Sequence, residues 1–243
     1  MAESTTPAVF RRGALDEWIN PLVVEAIGAF ALIYMGAGSI IMTGGSNLVA
    51  VALAYGLAFG LMVLAAGHIS GGLFNPALTI GLWAAGRLST VKSVAYIIVQ
   101  LVGALLAALL LKATFPGSMT GVVDLGVPAV GGGFTAGQAL PAEIVATFFL
   151  MYAMFGNAVD PRGKGPVYGL GIGLIITMDV FAVGGVSGAA MNPARWFGPA
   201  LVANAYGNWW VWWLGPIIGA LVAALVYGYV HLPPRREETT ASQ

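Results

Sequence analysis

The stretch that decides the fold reads SGGLFNPALT at residues 70–79 and returns as SGAAMNPARW at residues 187–196. Each copy leads through small residues into Asn-Pro-Ala, and Asn75 and Asn192 stand 117 positions apart. Asparagine is a favoured helix N-cap, and proline, lacking an N–H, suits the first helical turn. Asn75-Pro76-Ala77 and Asn192-Pro193-Ala194 therefore each read as a helix start. The surrounding segments, 68–87 and 184–201, are too apolar for exposed loops and too short to cross a bilayer. They predict re-entrant segments, which persist at membrane depth only where their backbone is buried in protein or lines water.

Outward from these segments the chain reads as an all-α membrane protein. Of its 243 residues 58% are hydrophobic and 8% charged, against roughly 25% charged in an average soluble domain. About 20 apolar residues cross a hydrocarbon core of roughly 30 Å. Six stretches meet that length: 21–42, 48–67, 91–113, 139–159, 167–183 and 209–230. The expected organisation is a single channel-sized domain. It comprises an N-terminal tail (1–19), a first repeat (20–113), an irregular glycine- and proline-rich loop (114–137), a second repeat (138–230) and a C-terminal tail (231–243). Zero formal net charge argues against nucleic acid as a partner. The absence of cysteine removes disulfides, thiolate metal sites and cysteine nucleophiles. With no metal cluster and no nucleophile paired to a base, neither an enzyme nor a metal or other cofactor is expected. The N-terminus lacks the apolar core of a secretory signal and reads as a retained tail. Cytoplasmic loops are enriched in Lys and Arg. With both termini cytoplasmic, Arg11, Arg12, Arg87, Lys92, Arg162, Lys164, Arg235 and Arg236 all fall on that side and Lys112 on the other.

The two halves resemble each other. EAIGAFALIY from Glu25 matches EIVATFFLMY from Glu143, with Phe30, Leu32 and Tyr34 answering Phe148, Leu150 and Tyr152; GALLAALL from Gly103 matches GALVAALV from Gly219. Each half has three spans, an odd number, so the second must enter the membrane inverted relative to the first. Inverted repeats place the functional site near the midplane between them. The two half-helices then meet there by their N-termini, each carrying roughly half a positive charge. A cation meets repulsion at that point and a water molecule does not. The amides of Asn75 and Asn192 are candidate donors to a passing oxygen, and the carbonyls of Gly71, Gly72, Leu73, Gly188, Ala189 and Ala190 candidate acceptors. Glu25 and Glu143, charges within spans, are expected to accept hydrogen bonds from the re-entrant backbone. Asp179 is expected in structural support, and His68 is given no role. Gly56, Gly60, Gly169, Gly173, Gly103 and Gly219 are expected at close helix contacts.

These paired loops resemble the signature loops of the aquaporin and glycerol-facilitator family. Two Asn-Pro-Ala triplets, after spans two and five, with Arg195 following only the second, make a specific pattern covering all but the tails. The resemblance implies six spans with two half-helices, one pore per subunit and a homotetramer in the lipid bilayer, with the cell membrane the expected location. It also implies passive passage of water, with small neutral solutes such as glycerol, ammonia, urea or hydrogen peroxide, and exclusion of ions and protons. By spacing from the loops, the family's outer constriction falls on Tyr55, Val180, Ala189 and Arg195. Val180 and Ala189 are small and apolar, which implies a wide opening. Trp196, Ala200, Trp212 and Trp213 resemble water-channel usage instead. Leu73 stands where the family usually has His. The competing expectation is a coupled secondary transporter using Glu25 and Glu143 as titratable groups.

Overall fold

The computed structural model describes residues 13–163 and 165–232, and its regular structure is helical throughout. The elements are α1 (Gly13–Thr43), α2 (Leu48–Ser70), α3 (Pro76–Ala84), α4 (Thr90–Thr114), α5 (Gly117–Thr120), α6 (Ala136–Met154), α7 (Tyr168–Ser187), α8 (Pro193–Ala203) and α9 (Val211–Val226). Helices α1, α2, α4, α6, α7 and α9 are long and apolar enough to cross a membrane, α6 and α9 running on through short π-helical turns to Val159 and His231. Helices α3 and α8 have 9 and 11 residues. At about 1.5 Å per residue they reach only about half way across a roughly 30 Å core.

Three expected boundaries move. Helix α1 begins at Gly13, not at Pro21, which lies inside it; within a membrane helix neighbouring groups re-satisfy the backbone that proline frees. Helix α7 continues to Ser187 through Gly184 and Gly185, where the glycines suggested a loop. A β-carbon on Gly184 would stand 2.9 Å from Leu48 Cδ1, so this glycine serves close packing. The 114–137 segment is not irregular throughout, since it carries α5 and a 3-10 turn over Gly121–Gly126. Of the basic residues used to orient the chain, Arg11, Arg12, Lys164, Arg235 and Arg236 lie outside the described residues.

The halves interlock about a glycine seam. Helix α2 packs along α7, α1 along α4, and α6 along α9, while α3 lies on α9 and α8 on α4, each re-entrant helix resting on the opposite repeat. A β-carbon on Gly56 would stand 2.6 Å from Gly173 O, and one on Gly60 2.9 Å from Gly169 O, so α2 and α7 approach at backbone distance. Large apolar side chains face outward on every span, among them Ile27, Leu57, Ile98, Phe149, Leu174 and Leu225. In water they would form an adhesive belt; against lipid they are at home, and the chain is an integral multi-pass membrane protein.

At the end of α6 the chain is tied down by a polar clasp. Asp160 accepts from Arg162 Nε at 2.9 Å and from Tyr227 Oη at 3.3 Å, and Arg162 Nη2 donates to His231 O at 2.7 Å. The Arg162 guanidinium holds the Asp160 carboxyl well below the usual carboxylate range. The connection between α6 and α7 is thereby fastened to the last turn of the final span.

Candidate functional site

The re-entrant loops are built on a pair of buried carboxyls. Glu25 Oε1 accepts from Ser70 Oγ at 2.7 Å and Leu73 N at 3.0 Å, and its Oε2 from Phe74 N at 2.6 Å and Gln100 Nε2 at 2.8 Å. Glu143 repeats the arrangement, accepting from Ser187 Oγ at 2.6 Å, Ala190 N at 2.8 Å and Met191 N at 2.6 Å. Both carboxyls are fully buried. Buried backbone N–H groups must find acceptors, and in these extended loops no helix or strand supplies them. Tyr96 Oη donates to Ser70 O and Trp212 Nε1 to Ser187 O, each at 2.9 Å, closing the same corner of each loop.

So held, the loops turn sharply into their helices. Phe74 and Met191 have φ of 49° and 51°, left-handed values that non-glycine residues seldom adopt. Such strain persists where the surroundings over-determine it and clusters at functional sites. Asn75 and Asn192 then cap α3 and α8, their Oδ1 atoms accepting from Ala77 N at 2.8 Å and Ala194 N at 2.9 Å, with Pro76 and Pro193 at the helix starts. The same two amides reach across: Asn75 Nδ2 donates to Met191 O at 2.7 Å and Asn192 Nδ2 to Phe74 O at 3.0 Å. The N-termini of the half-helices thus meet and are bolted together. One N–H of each amide is spent on the opposite loop, and one remains to each as a candidate donor.

Beside this junction lies a cavity of about 10 Å³, close to the smallest that holds a single water molecule. Tyr55, Asn75, Ala189, Ala190, Asn192 and Arg195 line it, with Leu32, Phe59, Leu150, Ile176 and Met191 supplying apolar wall. Arg195 is 3% exposed, and its Cζ lies over the Tyr55 ring at 4.5 Å from the centroid, a favourable cation–π placement. Arg195 Nε and Nη1 and the Tyr55 hydroxyl have no protein partner among the described residues.

Tyr55, Ala189 and Arg195 line this cavity; Val180 is buried further along α7 and is not in its wall. Ile176, one turn earlier on the same helical face, stands at the level of the cavity instead. Gly71, Gly72, Leu73 and Gly188, expected as sources of pore carbonyls, are likewise absent from its wall, whereas Met191 is present. Leu73 is buried, with its N–H on Glu25. Asp179 is 3% exposed and its Oδ2 has no partner among the described residues; nothing in the structure explains it. Sequence reasoning missed Ser70, Ser187, Tyr96, Trp212 and Gln100 as loop fasteners. The serine opening both decisive stretches was the available signal.

The comparisons agree with this geometry. Residues 15–227 match the family described as Major intrinsic protein. The chain is 41% identical to Aquaporin TIP4-4 of Zea mays, the alignment covering 91% of this chain and 92% of that protein. It is 40% identical to a probable NIP-type aquaporin of Nicotiana alata, over 87% of this chain and 78% of that one. The X-ray structure of the aquaglyceroporin from Plasmodium falciparum superposes with a TM-score of 0.79, covering 87% of this chain and 96% of that chain; at 24% identity it speaks for the fold. With six spans, two inverted loops and relatives aligned along nearly its whole length, the chain belongs to the major intrinsic protein family and is a passive membrane channel, not an enzyme.

Proposed function

We propose that the passage beside the joined N-termini of α3 and α8 conducts water in single file, with small neutral solutes as secondary cargo, and rejects ions and protons. The observation that carries this is the reciprocal pair of bonds from Asn75 to Met191 O and from Asn192 to Phe74 O, which sets two positive helix ends against one narrow cavity. A passing water meets the second amide hydrogen of each Asn and the unpaired donors of Arg195. A cation there meets two positive helix ends and a guanidinium. Tyr55, Ala189 and Arg195 form the constriction in this reading, and Val180 flanks it. The chain assembles as a homotetramer with one pore per subunit in a cell membrane, termini cytoplasmic; Arg87, Lys92 and Arg162 all lie at that end of the bundle.

Coupled transport through Glu25 and Glu143 is disfavoured, because three or four donors already occupy each carboxyl. Their bonds fix loops rather than wait for a substrate.

Stopped-flow light scattering on proteoliposomes tests the reading. Water permeability should rise well above that of empty vesicles while a pH-sensitive dye reports no added proton leak. Shrinkage at the empty-vesicle rate would defeat it. In the same vesicles, Val180→His should slow glycerol more than water, since it adds bulk and a polar group beside an apolar wall. Equal fluxes before and after would remove Val180 from the constriction's neighbourhood.

A further inference from the structure

A second, larger cavity lies outside the pore. It is a groove of about 800 Å³ between the end of α3 and the last turns of α9, lined by Ala84, Arg87, Leu221, Ala224, Leu225 and Gly228 among others. That volume is within the roughly 300–1,000 Å³ of small-molecule pockets. Small residues form its floor, and exposed Leu225, Tyr229 and Val230 its outer lip, 57%, 85% and 69% accessible. It therefore opens outward, toward lipid, and not into the channel.

Its one charged lining residue, Arg87, is exposed and takes part in no ion pair among the described residues. Arg87 follows the turn after α3, at the end of the bundle where α4 begins and α6 and α9 finish, so it stands at headgroup level. Asp160, an acid at that same end of the bundle, is held by Arg162 and Tyr227.

We propose that this groove binds an anionic phospholipid, its phosphate on Arg87 and one acyl chain against Leu221 and Leu225. Apolar burial supplies the chain's affinity and the unpaired guanidinium supplies preference for a charged headgroup. A single basic residue near the bilayer surface gives about a fivefold preference for anionic over zwitterionic lipid.

The test titrates delipidated full-length channel with phosphatidylglycerol or phosphatidylcholine and counts bound lipid by native mass spectrometry. Phosphatidylglycerol should occupy one site per chain about fivefold more tightly than phosphatidylcholine. Arg87→Gln should erase that preference, and Ala224→Trp, filling the groove, should remove the site for both lipids. Both variants should keep their water permeability, which certifies the fold, because neither residue lines the pore. Equal binding of the two lipids by the unaltered channel would overturn the proposal, as would a preference that survives both substitutions. Displacement by glycerol phosphate alone would reduce the site to a surface ion contact and also overturn it. A change of oligomeric state in Ala224→Trp would give the groove to a second copy of the chain, with the same consequence.

Discussion

Replacing Glu143 with leucine should leave a channel that melts far below the parent. Its carboxyl accepts from Ser187 Oγ, Ala190 N and Met191 N, all buried. A buried donor left unpaired costs about 1–3 kcal/mol. Three together amount to roughly 5 kcal/mol, a large share of a native state stable by only about 5–15 kcal/mol. For a chain of this size that is a fall in melting temperature of roughly 10–20 °C. The loop would lose its strained turn at Met191 and with it the acceptor for Asn75 Nδ2, so the fastening of both half-helices fails together. Glu143→Gln should be far milder. Its one remaining oxygen can keep Ser187 and Ala190, and only the bond to Met191 N meets an opposing donor, a loss of about 1–3 kcal/mol. Thermal unfolding of the three detergent-purified proteins reads this order directly. A leucine variant melting within a few degrees of the parent would mean that the carboxyl is ornamental.

That dependence explains what the sequence disclosed and what it hid. Glu25, Asn75 and Gly103 find their counterparts by eye, because the two halves keep the same letters at those places. The inverted fold follows from them with little more than an odd number of spans. Fasteners whose letters changed were invisible. Tyr96 and Trp212 stand 116 positions apart and donate to equivalent carbonyls, yet a hydroxyl and an indole N–H share no letter. Likewise Gln100 serves Glu25, whereas its counterpart 116 positions on is Pro216, which has no donor to offer. Val180 shows a different limit. Spacing from Asn192 assigns it to the outer constriction, and the cavity one turn away along the helix is met by Ile176, because linear spacing alone does not give depth along a pore. The extra turn of α7 was hidden for a related reason: glycine reads as a loop in isolation, but here Gly184 packs its helix close against Leu48.

In the proposed constriction, Tyr55 is seated by Gly36, a residue that lines no part of the cavity. The Tyr55 ring is clamped between Arg195 on one face and Gly36 of α1 on the other, where a β-carbon would overlap the ring. Gly28 offers the same notch to Phe74, so α1 forms a back wall against which both rings are seated. Gly36→Ala should therefore push Tyr55 off that wall. Arg195 is buried on α8, and the cavity of about 10 Å³ that Tyr55 lines is space that a small shift of the ring would consume. Overpacking of this kind costs about 1–3 kcal/mol. Met as a barrier to permeation, that cost lowers water flux roughly fivefold to a hundredfold. Adding Tyr55→Ala should restore flux in the double variant, since the displaced ring is the obstruction. Tyr55→Ala alone should admit glycerol faster than the parent channel does. These arms separate two failures. If Gly36→Ala conducts water normally while Tyr55→Ala still widens the pore, the ring has another place to go; if neither changes flux, the constriction does not lie at Tyr55. With both effects present, selectivity in this channel is set in part by the absence of a methyl group at Gly36, which itself lines no part of the cavity.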